Sequence, residues 1–122
     1  MNDYGKYFVS SEFECRCGCG NCDISKTLVE KLNTVRELLK EPITITSGVR
    51  CLKHNRSIGS KDSSSHIKGL AVDIKATDSV YRYKLLRVLY FLGFERIGID
   101  KDFIHVDIDK DKPQKITYLY KG

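Results

Sequence analysis

The sequence predicts an α+β fold, a single domain over residues 1–122 with a central antiparallel sheet flanked by helices. Three observations carry that expectation. Two segments repeat apolar residues at the three-and-four spacing of an amphipathic helix, each with a capping side chain in front and a breaker behind. Several short runs rich in β-branched residues alternate as strands do, and two of them flank a tight turn. The 122 residues, 41% hydrophobic and 30% charged with 9 Gly and 2 Pro, are enough for one core and argue against disorder or a fibrous repeat.

In chain order, Asp23 and Ser25 are both able to cap a helix that carries Leu28, Leu32, Val35 and Leu39 on one face and stops before Pro42. Ile43-Thr44-Ile45-Thr46 then reads as a short strand ending at Ser47-Gly48, with Arg50 just past its end. Leu52 to Ser65 is rich in Ser, Lys and Gly, so it reads as a surface loop with one helical turn near His54. After Gly69, Leu70 to Ile74 is a buried strand that sets Ala71 and Asp73 on one face and Leu70, Val72 and Ile74 on the other. A second helix, capped by Asp78 or Ser79, turns Tyr81, Leu85, Val88, Leu89 and Leu92 inward and ends at Gly93. Phe94 to Ile99 and Phe103 to Ile108 form a hairpin about Asp100-Lys101, with Phe103, His105 and Asp107 sharing a face. Ile116 to Tyr120 adds an edge strand.

The net charge of +5 favours anionic partners, but the basic residues are dispersed and accompany no nucleic-acid-binding signature, so no nucleic-acid partner is expected. No apolar run approaches the ~20 residues of a bilayer span, and Met1 to Lys6 lacks the order of a secretory signal, so synthesis in the cytoplasm is expected. Four of the five cysteines, Cys15, Cys17, Cys19 and Cys22, fall in one loop at 15–22, and Cys51 lies apart. An odd count excludes complete internal pairing. A metal clip, a disulfide to Cys51 and free thiols all fit the spacing, with Cys19-x-x-Cys22 the most knuckle-like part of it.

The chemistry concentrates elsewhere. His66, Asp73 and His105 each place a metal-ligating side chain in an otherwise core-like or glycine-marked context. Two imidazoles and one carboxylate leave a fourth tetrahedral position open, which hydrolysis requires. The turn at Gly69 lets the strand carrying Asp73 fold back beside His66, and an adjacent strand brings in His105. Asp107, on the face of His105, is placed to orient an imidazole through its second nitrogen.

Ser64-Ser65-His66-Ile67-Lys68-Gly69-Leu70-Ala71-Val72-Asp73 resembles the Ser-x-His-x-x-Gly-x-Ala-x-Asp signature of the D-alanyl-D-alanine carboxypeptidase family of zinc peptidases, which includes phage L-alanyl-D-glutamate endopeptidases and shares its fold with the hedgehog signalling domain. Ser47-Gly48-Val49-Arg50 with His54-Asn55, and Phe103-Ile104-His105-Val106-Asp107, are similar to further segments of that family, as is the opening Phe8 to Phe13 with its cysteine-rich sequel.

The resemblance implies that His66, Asp73 and His105 hold Zn²⁺, that Arg50 stabilises the developing oxyanion and binds substrate, and that Ser64 contacts substrate or the metal's surroundings. It implies action on peptidoglycan stem peptides at the cell wall by a protein of small phage or prophage type; a monomer is expected. Where many relatives carry Glu three residues before the last His, this chain has Asp102, the expected general base, with Asp100 as second candidate. His54 is expected to make a structural hydrogen bond outside the metal's ligands. The hedgehog likeness also admits a zinc-binding module that does not hydrolyse.

Overall fold

The computed structural model describes residues 4–120. After a 3-10 turn at Ser10–Glu12, the first helix, α1, runs Lys26–Leu39. The Ser25 hydroxyl accepts the Leu28 N–H at 3.3 Å, and Lys40 ends the helix in the left-handed region at φ 59°. Its buried face is Leu28, Val29, Leu32, Val35 and Leu39. Strand β1 is Ile45–Ser47, shorter than the alternation from Ile43 predicts. The polar stretch beyond it contains α2, Leu52–Ser57, longer than the single turn expected there.

Strand β2 is Ala71–Lys75, α3 is Ser79–Phe91 with Asp78 as its cap, and β3 (Arg96–Ile99), β4 (Phe103–Asp107) and β5 (Ile116–Leu119) complete the chain. The five strands form one sheet in the order β1-β2-β4-β3-β5. The expected antiparallel pairing holds from β1 through β3, whereas β5 joins β3 in parallel. The connection from β4 explains the difference: it passes the start of β3 and begins the new strand there, Arg96 opposite Ile116, so both strands leave from the same end.

Strand alternation gives the sheet two chemically different faces. Val72, Ile74, Ile97, Ile104 and Val106 point into the core, where Leu85 and Leu89 of α3 and the apolar stripe of α1 cover them. On the other face the register lines up Ser47, Asp73, His105, Gly98 and Tyr118 in a single row across all five strands. Burial of the first face fixes that row, because a one-residue slip in any strand would exchange core and polar side chains.

Among the described residues no helix is long and apolar enough to cross a membrane.

Candidate functional site

Cross-strand pairing of Asp73 with His105 sets their side chains together, His105 Nδ1 lying 2.9 Å from Asp73 Oδ1. His66 comes from the loop before β2. A turn in which the Gly69 N–H donates to the His66 carbonyl and Leu70 N–H to that of Ser65 reverses the chain between the two residues. Gly69 is required there: its φ is +70°, and a β-carbon would collide with the Asp23 carbonyl. His66 Nε2 thereby reaches 3.3 Å from Asp73 Oδ1. One ligand atom from each of the three residues lies within 4.8 Å of the others, and all three residues are buried.

The partners of these rings define what the site can hold. The Gly48 carbonyl lies 2.7 Å from His66 Nδ1 and fixes that nitrogen as the donor, so the neutral ring presents the Nε2 lone pair to a carboxylate oxygen. Two acceptors facing each other need a proton or a cation between them. His105 is held on its far side by Asp107, Nε2 to Oδ2 at 2.7 Å, which leaves Nδ1 for the space shared with Asp73 and His66. An acceptor-rich pocket of two imidazole nitrogens and one carboxylate fits a first-row divalent metal.

Burial opposes ionisation of Asp73, but the hydrogen-bonding contacts with His105 and His66 and the positive charge of a protonated imidazole beside it hold its carboxyl far below the ordinary range. Burial disfavours a charged His105 too, yet the Asp107 and Asp73 carboxylates at its two nitrogens push its pKa up. Burial likewise works against ionised Asp107, and His105, the Asp109 N–H and Arg96 together bring its carboxyl below the usual value. Arg96 Nε sits 2.7 Å from Asp107 Oδ1, and the Arg96 guanidinium also donates to the Pro113 carbonyl.

Arg50 reaches the same place from beyond β1. Its Nε donates to Ser47 Oγ at 3.1 Å and its Nη1 to Asn55 Oδ1 at 3.1 Å, while Nη2 stands 3.6 Å from Asp73 Oδ2. Asn55 is fully buried and donates in turn to the Lys61 carbonyl, so α2 serves as a bracket for the guanidinium. Ser64 Oγ accepts the His66 N–H at 3.2 Å. His54 lies outside the trio and caps nothing in it; its carbonyl accepts the Ser57 hydroxyl and its N–H points at Cys51 Sγ.

These groups lie in a cleft of about 360 Å³ whose walls include Arg50, Ser64, Lys61, Lys112 and Tyr120. Asp102 and Asp100 are not among its lining residues. Both sit at the β3–β4 turn, where the Asp102 N–H donates to Asp100 Oδ2 at 3.0 Å and Asp102, exposed, accepts the Ala76 N–H through its carbonyl.

Four contributors escape sequence reasoning: Arg96, Gly98, Tyr118 and Tyr120. The two tyrosine rings each stand 6.1 Å from the His105 ring and form the wall beside it. They fit because position 98 has no side chain; a β-carbon there would be 2.7 Å from both rings. Alternation in the last strand is the available signal for the tyrosines, but pairing of that strand with β3 is not a local property.

A family model described as Peptidase M15 matches residues 6–107, a span that includes the trio, Arg50 and Asp107. Among curated proteins no match was found.

Proposed function

The chain belongs to the Peptidase M15 family, and on that premise we propose that it is a zinc peptidase cleaving stem peptides of bacterial peptidoglycan, either at terminal D-alanine or at an alanyl-glutamate bond. The observation that carries this reading is the convergence of His66, Asp73 and His105 in a buried, acceptor-rich pocket at the floor of a cleft that also holds Arg50. Zinc in that pocket would supply Lewis acidity at the scissile carbonyl and make a water molecule acidic enough to attack near neutral pH.

The chain's own residues do the rest. Asp107 keeps the Nε2 proton on His105 and so presents the other nitrogen as a ligand. Gly48 does the same for His66. Arg50, held by Ser47 and Asn55, offers donors to the oxygen that gains charge in the transition state. Lys61 and Lys112 on the cleft walls suit a substrate bearing free carboxylates, as stem peptides do, and Ser64 adds a hydroxyl. We assign the proton acceptor to Asp102, on its three-residue spacing from His105 and its place at the turn leading into that strand. Asp100, whose carboxylate closes this turn, is the second candidate. The chain is proposed to work as a monomer at the cell wall.

The position of both aspartates outside the cleft lining favours one other reading, a zinc-binding module that recognises such peptides without cutting them. Zinc-loaded protein incubated with peptidoglycan and with D-alanine-terminated peptides separates the two. Release of amino groups, lowered by about 10²–10⁴ in Asp102→Asn with metal content unchanged, supports the peptidase and its base. Unchanged turnover in that variant removes Asp102 from the mechanism. Peptide binding without any release supports the module.

A further inference from the structure

We propose that Cys15, Cys17, Cys19 and Cys51 form a second metal site, a closed four-thiolate structural centre for Zn²⁺. The four sulfurs lie within 4.8 Å of one another, with Cys15 to Cys17 at 3.4 Å and Cys17 to Cys51 at 3.6 Å. Tetrahedral thiolate ligation with zinc–sulfur bonds of about 2.3 Å separates neighbouring sulfurs by about 3.8 Å, so the cluster needs little rearrangement to close on an ion. A pair of disulfides would also use an even set of four thiols, but one soft cation satisfies all of them together without an oxidant.

The local sequence is built for this. Three of the thiols come from five consecutive residues, and the chain reverses between them through Gly18 at φ +83° and closes after them through Gly20 at φ +85°. A β-carbon at either glycine would meet nothing within 4 Å, so conformation and not space is what those positions require. The loop is tied at its base, where the Cys15 N–H donates to the Asn21 carbonyl at 2.8 Å. Backbone donors then point at sulfur: the Cys51 N–H at Cys15 Sγ and the His54 N–H at Cys51 Sγ, both 3.4 Å. Such donors favour the thiolate and orient a ligating sulfur. Cys22 takes no part; its sulfur lies 3.9 Å from the Tyr4 hydroxyl, so the knuckle-like Cys19-x-x-Cys22 spacing is not the one the fold assembles.

Four thiolates leave no open position, which assigns the centre to structure and not to catalysis. It would clip the 15–19 loop onto the segment that serves the histidine site. Beside the clip the Val49 N–H donates to the Phe13 carbonyl at 2.9 Å, and Gly48 packs so closely there that a β-carbon would come within 2.6 Å of the same oxygen. Gly48 orients His66 through its carbonyl, and the Arg50 N–H donates to the His66 carbonyl at 3.1 Å.

The test is zinc stoichiometry of the full chain purified under reducing conditions, with Co²⁺ substitution as a second readout. The wild type should carry two zinc ions. His66→Ala should lose one and keep the sulfur-to-cobalt charge-transfer absorption; Cys17→Ser and Cys19→Ser should lose the other together with that absorption, and Cys22→Ser should lose neither. Should the cysteine variants fail to fold, thiol titration of the wild type decides: one thiol reactive before chelation and five after it supports the centre. A single zinc that His66→Ala removes, no thiolate absorption with cobalt, or an intact mass showing joined thiols would overturn it. The histidine site can fail this test separately, since its loss is read in His66→Ala alone.

Discussion

Asp73 and His105 stand directly opposite each other on β2 and β4, and the 2.9 Å contact between Oδ1 and Nδ1 faces the Nε2 of His66 from the neighbouring loop. The other nitrogen of His105 belongs to Asp107. Replacing Asp107 by Asn leaves a partner at that nitrogen but removes the charge that orients the ring. Zinc affinity, measured by competition with a chelator, should fall about 10–100-fold although His66, Asp73 and His105 are all retained.

Arg96 and Asp107 form a buried ion pair, Nε to Oδ1 at 2.7 Å, under the same histidine. Truncating the cation takes from this buried carboxylate its Arg96 partner and leaves it to His105 and the Asp109 N–H. Arg96→Met should lower stability to urea by roughly 3 kcal/mol, and Asp107→Asn in the same background should recover part of that loss, because it removes the buried charge whose Arg96 partner is gone.

Gly98 completes the row across the sheet by having no side chain. Gly98→Val would drive a side chain into the Tyr118 and Tyr120 rings that flank His105. A destabilisation of about 1–3 kcal/mol is expected, together with a larger proportional loss of peptide binding than of zinc, because the wall of the cleft moves while His66, Asp73 and His105 do not.

Asp109 is buried beyond β4, where its carboxylate accepts from Ser65 Oγ at 2.8 Å and from Lys68 Nζ at 3.0 Å, with Lys112 Nζ at 3.8 Å and the Asp111 N–H at 3.1 Å. Its own N–H donates to Asp107. Burial opposes ionisation, but the hydrogen bonds from Ser65 and Lys68 prevail and hold the carboxyl below its ordinary value of 3.8. A carboxyl whose pKa is depressed by folding contributes stability that is fully present above the unfolded value and is lost as pH falls through the folded one. Unfolding free energy should therefore decline on acidification below about pH 4, and Asp109→Asn, less stable at neutral pH, should decline less steeply over that window.

Much of this architecture is legible in the amino-acid sequence itself. Helical spacing and caps locate α1 and α3, alternation locates β2 and β4, and Gly69 marks the turn that brings His66 back to Asp73. These are local properties, each written in fewer than about 15 consecutive residues. The parts that stay hidden are pairings between distant segments. Nothing near Ile116 states that it will lie parallel to Arg96, and nothing near Arg96 states that its guanidinium will reach Asp107. The cysteines show the same limit: spacing favours Cys19 with Cys22, whereas the fold brings Cys51 to Cys15 and Cys17 across 36 and 34 positions of chain. The family resemblance points to Asp102 three residues before the last histidine, and the hairpin read about Asp100-Lys101 already sets it beside a turn; what the structure adds is that this residue lies outside the cleft lining.

A metal-dependent peptidase built on His66, Asp73 and His105 stands or falls on amino-group release from purified peptidoglycan by the zinc-loaded chain, before and after chelation, beside His66→Ala and His105→Ala. The wild type should release amino groups in a reaction that chelation abolishes and zinc restores, and neither variant should release any. Zinc bound at the histidine site with no release from peptidoglycan or D-alanine-terminated peptides, or release that survives both variants, would contradict that assignment.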